Sequence, residues 1–131
     1  MPDTGVLDMF DIDPRGVQYT ETAGFSSDVY NKPNAFGAVG PYQLTPIAFK
    51  DLQRVYPNKY SKEAFNKVAV SPELSKTAML DYMGVLRGYA EKWGIDPSTE
   101  NLLQMYNVGP GDFKKGKRNQ GYVDKYYEGV R

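Results

Sequence analysis

Leu74, Ala78, Tyr82, Val85, Tyr89 and Trp93 follow one another at intervals of three and four residues, the spacing that lines side chains along one face of an α-helix. Ser71-Pro72 opens the run and Gly94 closes it, so the pattern predicts one long buried helix from Pro72 to Trp93. At 1.5 Å per residue it would span about 33 Å, the width of a small domain. The remaining elements must be arranged around that spine. Gly84 and Gly88 fall inside it, each costing about 1 kcal/mol relative to Ala, which predicts a neighbour packed close against them.

Shorter helices are expected on either side. Asp13 can cap a helix with Pro14 in its first turn, running to about Thr22 and ending before Gly24. The segment from Gly24 to Gln43 is rich in Gly, Pro, Asn, Ser and Asp, which is turn chemistry. A second helix should run from Thr45-Pro46 to about Val55, with Ile47, Phe49, Leu52 and Val55 inward, until Tyr56-Pro57-Asn58 stops it. A shorter one follows near Lys62 to Val68. Ser98 or Thr99 can cap a helix carrying Leu102, Leu103 and Tyr106, which Gly109-Pro110 ends. A final helix should place Tyr122, Tyr126 and Val130 on one face, with Val123 and Tyr127 beside them. The expectation is one mainly α domain over residues 1–131, with an irregular loop or small hairpin near residues 24–42.

Composition narrows the chemistry. The chain has 131 residues, enough for a single core, and neither His nor Cys. A Ser/His/Asp triad, a Cys/His peptidase and a His-ligated zinc hydrolase are therefore excluded. The acidic residues do not cluster at ligand spacing, so no metal and no cofactor is expected. Proton transfer, if the chain is an enzyme, falls to a carboxylate, and carboxyls with a raised pKa are the acids of glycoside cleavage. Eleven Tyr suit sugar binding, each offering an apolar face with a polar tip, although for any one of them a place at the core edge is the commoner role. Sixteen basic and sixteen acidic side chains cancel, so no overall field draws the chain to nucleic acid or an anionic membrane. No run of about eighteen apolar residues occurs, which speaks against membrane insertion, and the acidic N-terminus does not resemble a signal peptide.

Three separated pieces matter together: Glu21 in Thr-Glu-Thr-Ala-Gly, then Gly37-Ala38-Val39-Gly40-Pro41-Tyr42-Gln43-Leu44-Thr45-Pro46, then Met105-Tyr106-Asn107-Val108-Gly109-Pro110-Gly111. In this order, and followed by Gly121-Tyr122-Val123, they resemble the lytic transglycosylase domain of the soluble type, a branch of the lysozyme-like superfamily. The resemblance runs from about Val17 to the C-terminus. Family members look like Glu-Ser at a helix end, Gly-x-x-Gly-x-x-Gln-x-x-Pro, Ala-Tyr-Asn-x-Gly and a late Tyr-Val. It implies a lysozyme-like helical fold that cleaves peptidoglycan between N-acetylmuramic acid and N-acetylglucosamine. Glu21 would be the catalytic acid and base, Tyr106 would support it, and Gln43 and Asn107 would contact the sugar or the loop that holds it. Tyr42 and Tyr122 fall in the same motifs and are grouped with the substrate-binding side chains.

One carboxylate suffices in that family because the substrate supplies the second group: its N-acetyl oxygen acts as nucleophile, its own 6-hydroxyl completes the displacement, and the product carries a 1,6-anhydro end. The dual role requires a carboxyl that can hold a proton near neutral pH, which burial against aromatics such as Tyr106 would favour. The sequence departs from the family at Thr22 for Ser, at Thr45 for an apolar residue, at Gln104-Met105 for a small pair, and at Gly16 in a short first helix. Leu7, Phe10 and Ile12 are the apolar residues that could compensate for that short helix.

Other readings stay open at this stage. A Glu at a helix end is usually a solvated surface residue, Gln43 could cap the following helix, and Asn107 could bond its own helix end. Asp28, seven residues after Glu21, could activate water in a hydrolytic muramidase. A wall-binding or virion structural module would keep such a fold without turnover. Lys114, Lys115, Lys117 and Arg118 form a basic run, read as a solvated loop or as a contact for the acidic groups of the wall. The form without an export signal resembles a phage-borne enzyme, delivered to the cell wall or periplasm by a virion, or a domain of a larger tail or secretion assembly.

Overall fold

A computed structural model describes residues 12–131; Leu7 and Phe10 lie outside them. Nine helices and no strand occur among the described residues. Helix α1, Pro14–Thr22, starts as expected: Asp13 Oδ1 accepts the Arg15 amide at 2.9 Å and its carbonyl accepts that of Gly16 at 3.0 Å. Gly24, at φ 87°, follows its end.

The segment expected to be irregular contains a one-turn helix, α2, Ser27–Tyr30. The hairpin expected there reduces to a single antiparallel bridge, Val39 with Leu44, because the chain turns within four residues and enters a helix immediately afterwards. That helix, α3, Pro46–Val55, is capped by Thr45, whose Oγ1 accepts the Ala48 amide at 3.1 Å. Its buried face is Ala48, Phe49 and Leu52. Ile47 is 77% exposed and Val55 40% exposed, contrary to expectation. At 100° per residue Ile47 points about 200° away from Phe49, so both cannot face inward.

Tyr56-Pro57 stops α3, and Pro57 then starts α4, Pro57–Tyr60. Proline is suited to a first helical position because the amide it lacks has no partner there. Helix α5, Phe65–Val70, begins three residues later than expected. The spine is α6, Pro72–Lys92. Its buried stripe takes in Ala78, Tyr82 and Val85 as expected, but it centres one residue further on, along Ser75, Met79, Met83, Leu86 and Ala90. Leu74 is consequently 44% exposed. Gly88 is not a packing glycine, since a side chain there would meet open space.

Helices α7, Thr99–Val108, α8, Pro110–Lys114, and α9, Gln120–Gly129, complete the chain. Ser98 caps α7, its Oγ accepting the Asn101 amide at 3.2 Å. Gly109 and Pro110 end α7, and the same proline opens α8.

The chain divides into two compact units, with boundaries inside α1 after Thr20 and inside α6 after Tyr82. In the unit Glu21–Tyr82 the core is Val39, Leu44, Phe49, Leu52, Tyr60, Ala69 and Met79 with their neighbours. Phe49 meets Tyr60 and Phe65 edge-on, with ring centroids 6.0 and 5.6 Å apart. Lys59 Nζ and the Tyr60 hydroxyl both donate to Asp81 Oδ2, at 2.7 and 2.5 Å.

The other unit joins the segment ending at Thr20 to Met83–Arg131, and its core includes Ile12, Val17, Leu103, Met105, Phe113, Val123 and Tyr126. Here α1 and α9 cross at glycines. A Cβ on Gly16 would lie 2.5 Å from the Tyr126 ring and 2.8 Å from Val130, and one on Gly129 would lie 2.6 Å from Tyr19 Cβ. Gly16, a departure from the family pattern, thus lets the last helix approach the first. The Tyr126 hydroxyl accepts the Asp13 amide at 2.8 Å, fixing the same contact. Among the described residues no helix is long and apolar enough to cross a membrane.

Candidate functional site

Within the unit Glu21–Tyr82, the end of α1 and the loop from Asn31 to Thr45 are brought together. Glu21 is the penultimate residue of α1 and is partly buried. The next residue, Thr22, is 4% exposed, and its hydroxyl donates to the Pro41 carbonyl at 3.0 Å. That bond fastens the backbone beside Glu21 to the tight turn between Gly40 and Gln43, nineteen residues away.

The turn is built by its own sequence. Gln43 donates its amide to the Gly40 carbonyl at 3.0 Å, and the Val39–Leu44 bridge, with bonds of 2.9 and 3.1 Å, closes it. Gly40 has φ 90°, and a Cβ there would overlap the Ala69 carbonyl oxygen. Only glycine meets both conditions. Gly40 also donates its amide to Tyr30 O at 2.7 Å, which ties the turn to the end of α2. Gln43 is the one non-glycine residue at positive φ, 53°, among those described, a conformation that costs free energy and concentrates at functional sites.

Gln43 holds this loop with its side chain. Nε2 donates to Gly40 O at 2.9 Å and to Tyr30 O at 3.2 Å, while Oε1 accepts from Asn34 Nδ2 over a long 3.5 Å. It does not cap α3, a role that Thr45 fills. These bonds hold Gly40, Tyr30 and Asn34 around one side chain. Tyr42, 4% exposed, is a packing side chain that leaves little surface for a ligand. Asn31 Oδ1 is the one buried side-chain polar atom without a hydrogen-bond partner among the described residues, so the strained backbone and the unmatched acceptor fall in the same loop. Asp28 is exposed in the first turn of α2.

The remaining expected site residues lie in the other unit. Tyr106 is partly buried near the end of α7, and Asn107 beside it is exposed. Asn107 Oδ1 accepts from Asn119 Nδ2 at 2.7 Å, so it braces the start of α9 rather than its own helix end. Asn119 Oδ1 accepts the Tyr122 amide at 3.2 Å, and its own amide donates to Gln104 Oε1 at 2.6 Å. From the sequence, Gln104 stood out only as a departure from the family pattern and Asn119 not at all, although an Asn ahead of an apolar helical run is a recognisable cap. Tyr122 is 6% exposed.

Three residues of the basic run, Lys114, Lys117 and Arg118, have local partners. Arg118 stacks over Phe113, its guanidinium carbon 3.6 Å from the ring centroid, and donates to the Phe113 carbonyl at 2.8 Å. Lys114 Nζ lies 4.6 Å from the centroid of Trp93, which itself stacks on Tyr89. Lys117 pairs loosely with Asp112 at 4.0 Å.

No family model matches this chain, and no curated protein or solved structure matches it either.

Proposed function

We propose that the chain cleaves the glycan strands of peptidoglycan between N-acetylmuramic acid and N-acetylglucosamine, with Glu21 as acid and then base, in a lysozyme-like fold of the lytic transglycosylase kind. The observation that carries this reading is the buried Thr22–Pro41 hydrogen bond. It couples the two most informative motifs, the Glu-Thr helix end and the Gly-x-x-Gly-x-x-Gln turn, and a fixed separation between them supports the reading because catalysis needs its acid and its binding loop held together. The left-handed Gln43 and the amide network it anchors support it further.

In the proposed reaction the muramic acid N-acetyl oxygen bonds to C1 while the glycosidic bond breaks and Glu21 gives its proton to the departing O4. The 6-hydroxyl oxygen then displaces the acetyl oxygen from C1, and Glu21, now a carboxylate, takes that hydroxyl proton. A 1,6-anhydro ring results, the N-acetyl group is restored, and Glu21 is again protonated. No water is consumed.

The test is digestion of purified peptidoglycan with the wild type and Glu21→Gln, followed by mass analysis of the soluble fragments. Anhydro ends from the wild type and a loss of at least about a thousandfold in the variant are expected. Reducing ends would assign the chain as a hydrolase instead. Bound but unreleased wall material would assign it as a binding module.

A further inference from the structure

Between Lys32 and Lys50 the chain runs for seventeen residues without a charged side chain, its longest such stretch, although 24% of the whole sequence is charged. Roughly four would be expected at that density. The stretch holds the whole loop around the Gly40–Gln43 turn and the start of α3. It also holds the two most exposed large apolar side chains among the described residues, Phe36 at 84% and Ile47 at 77%.

These two are neighbours through the backbone. Gly37 lies against Pro46, where an added Cβ would be 3.1 Å from the proline ring, and Phe36 and Ile47 each adjoin one partner of that contact. Phe36 is presented on an ordered turn: Asn34 Oδ1 accepts the amides of Phe36 and Ala38 at 2.8 and 3.0 Å, and Asn34 O accepts that of Gly37 at 2.9 Å. A fixed backbone holding a phenyl ring in water is the arrangement of a ligand platform, because little ordering entropy remains to be lost on binding.

The stretch itself offers no cation to a carboxylate and no anion to an amine, which favours a ligand surface that is uncharged. The ligand must also reach the Glu21 helix end, to which the same loop is hydrogen-bonded through Thr22 and Pro41. A pyranose backbone meets both requirements, its C–H face suited to an aromatic ring.

We propose that Phe36, flanked by Ile47, is a stacking platform for an N-acetylhexosamine of the glycan strand, so that this edge of the site reads the uncharged sugar backbone rather than the peptide stems. The proposal rests on the glycan-cleaving reading of Glu21. Its test uses that variant as a trap. Calorimetry would compare a tetrasaccharide of N-acetylglucosamine binding to Glu21→Gln alone and to Glu21→Gln combined with Phe36→Ala or Phe36→Trp. Alanine should weaken binding about tenfold and tryptophan should preserve it. In the active protein, Phe36→Ala should raise the half-saturating concentration of soluble glycan by a similar factor with kcat little changed.

Equal binding by the alanine and parent proteins, or no binding by either, overturns the platform. So does a Phe36→Ala protein that loses self-association in sedimentation while keeping its sugar affinity. Cleavage by Glu21→Gln at the wild-type rate would instead overturn the catalytic reading, and the binding comparison would still decide the role of Phe36.

Discussion

Replacing Thr22 by valine keeps the shape of a buried side chain and deletes only the hydroxyl that donates to Pro41 O at 3.0 Å. A net hydrogen bond contributes about 1 kcal/mol, and leaving a buried carbonyl short of its donor costs about 1–3 kcal/mol. Thr22→Val should therefore lose about 1–3 kcal/mol in urea unfolding with an unchanged denaturant slope, and its melting temperature should fall about 3–5 °C per kcal/mol. Activity should fall further than stability explains, because the turn is then no longer held against the Glu21 helix end. Thr22→Ser, which keeps the hydroxyl, should restore wall cleavage and most of the stability. Measured at a temperature where all three proteins are folded, a Thr22→Val enzyme with wild-type turnover and stability would refute the coupling. A serine variant as impaired as the valine one would refute it equally, since the hydroxyl would then not be the cause.

Two further outcomes can be checked. Gly40→Ala should destabilise by about 3 kcal/mol or more, since it adds a left-handed strain to an overlap with the Ala69 backbone; a fully stable variant would mean that the turn moves freely. Tyr60 is held above its ordinary pKa, first by burial and then by its hydrogen bond to Asp81. With the folded value raised, the Tyr60 contribution is fully present below about pH 10 and is lost as pH rises further, by up to about 1.4 kcal/mol per unit. The stability gap between wild type and Tyr60→Phe should thus shrink from pH 9 to pH 11, and a constant gap would argue against the shift.

Local signals carried much of the helical architecture. Asp13-Pro14, Thr45-Pro46 and Ser98-Thr99 marked helix starts within a residue because caps and proline act through bonds made inside one turn. The motif around Gly37 to Pro46 announced a tight loop for the same reason. Which side of each helix faces inward was less legible. Val55 and Leu74 match a helical period as well as the buried residues do, whereas Ile47 is out of phase with Phe49, and the fully buried Met79 and Met83 lie one position beyond the expected stripe.

The amino-acid sequence alone excluded His and Cys chemistry, placed Glu21 at a helix end and called for turns between Gly24 and Gln43. Only the tertiary structure decided that Thr22 reaches Pro41, that Gln43 holds the loop with its amide, and that Gly16 and Gly129 allow two helices to cross. Caps and turns are set by neighbours in the chain, whereas these contacts join residues far apart in it. Their partners are chosen by packing, which no local pattern encodes.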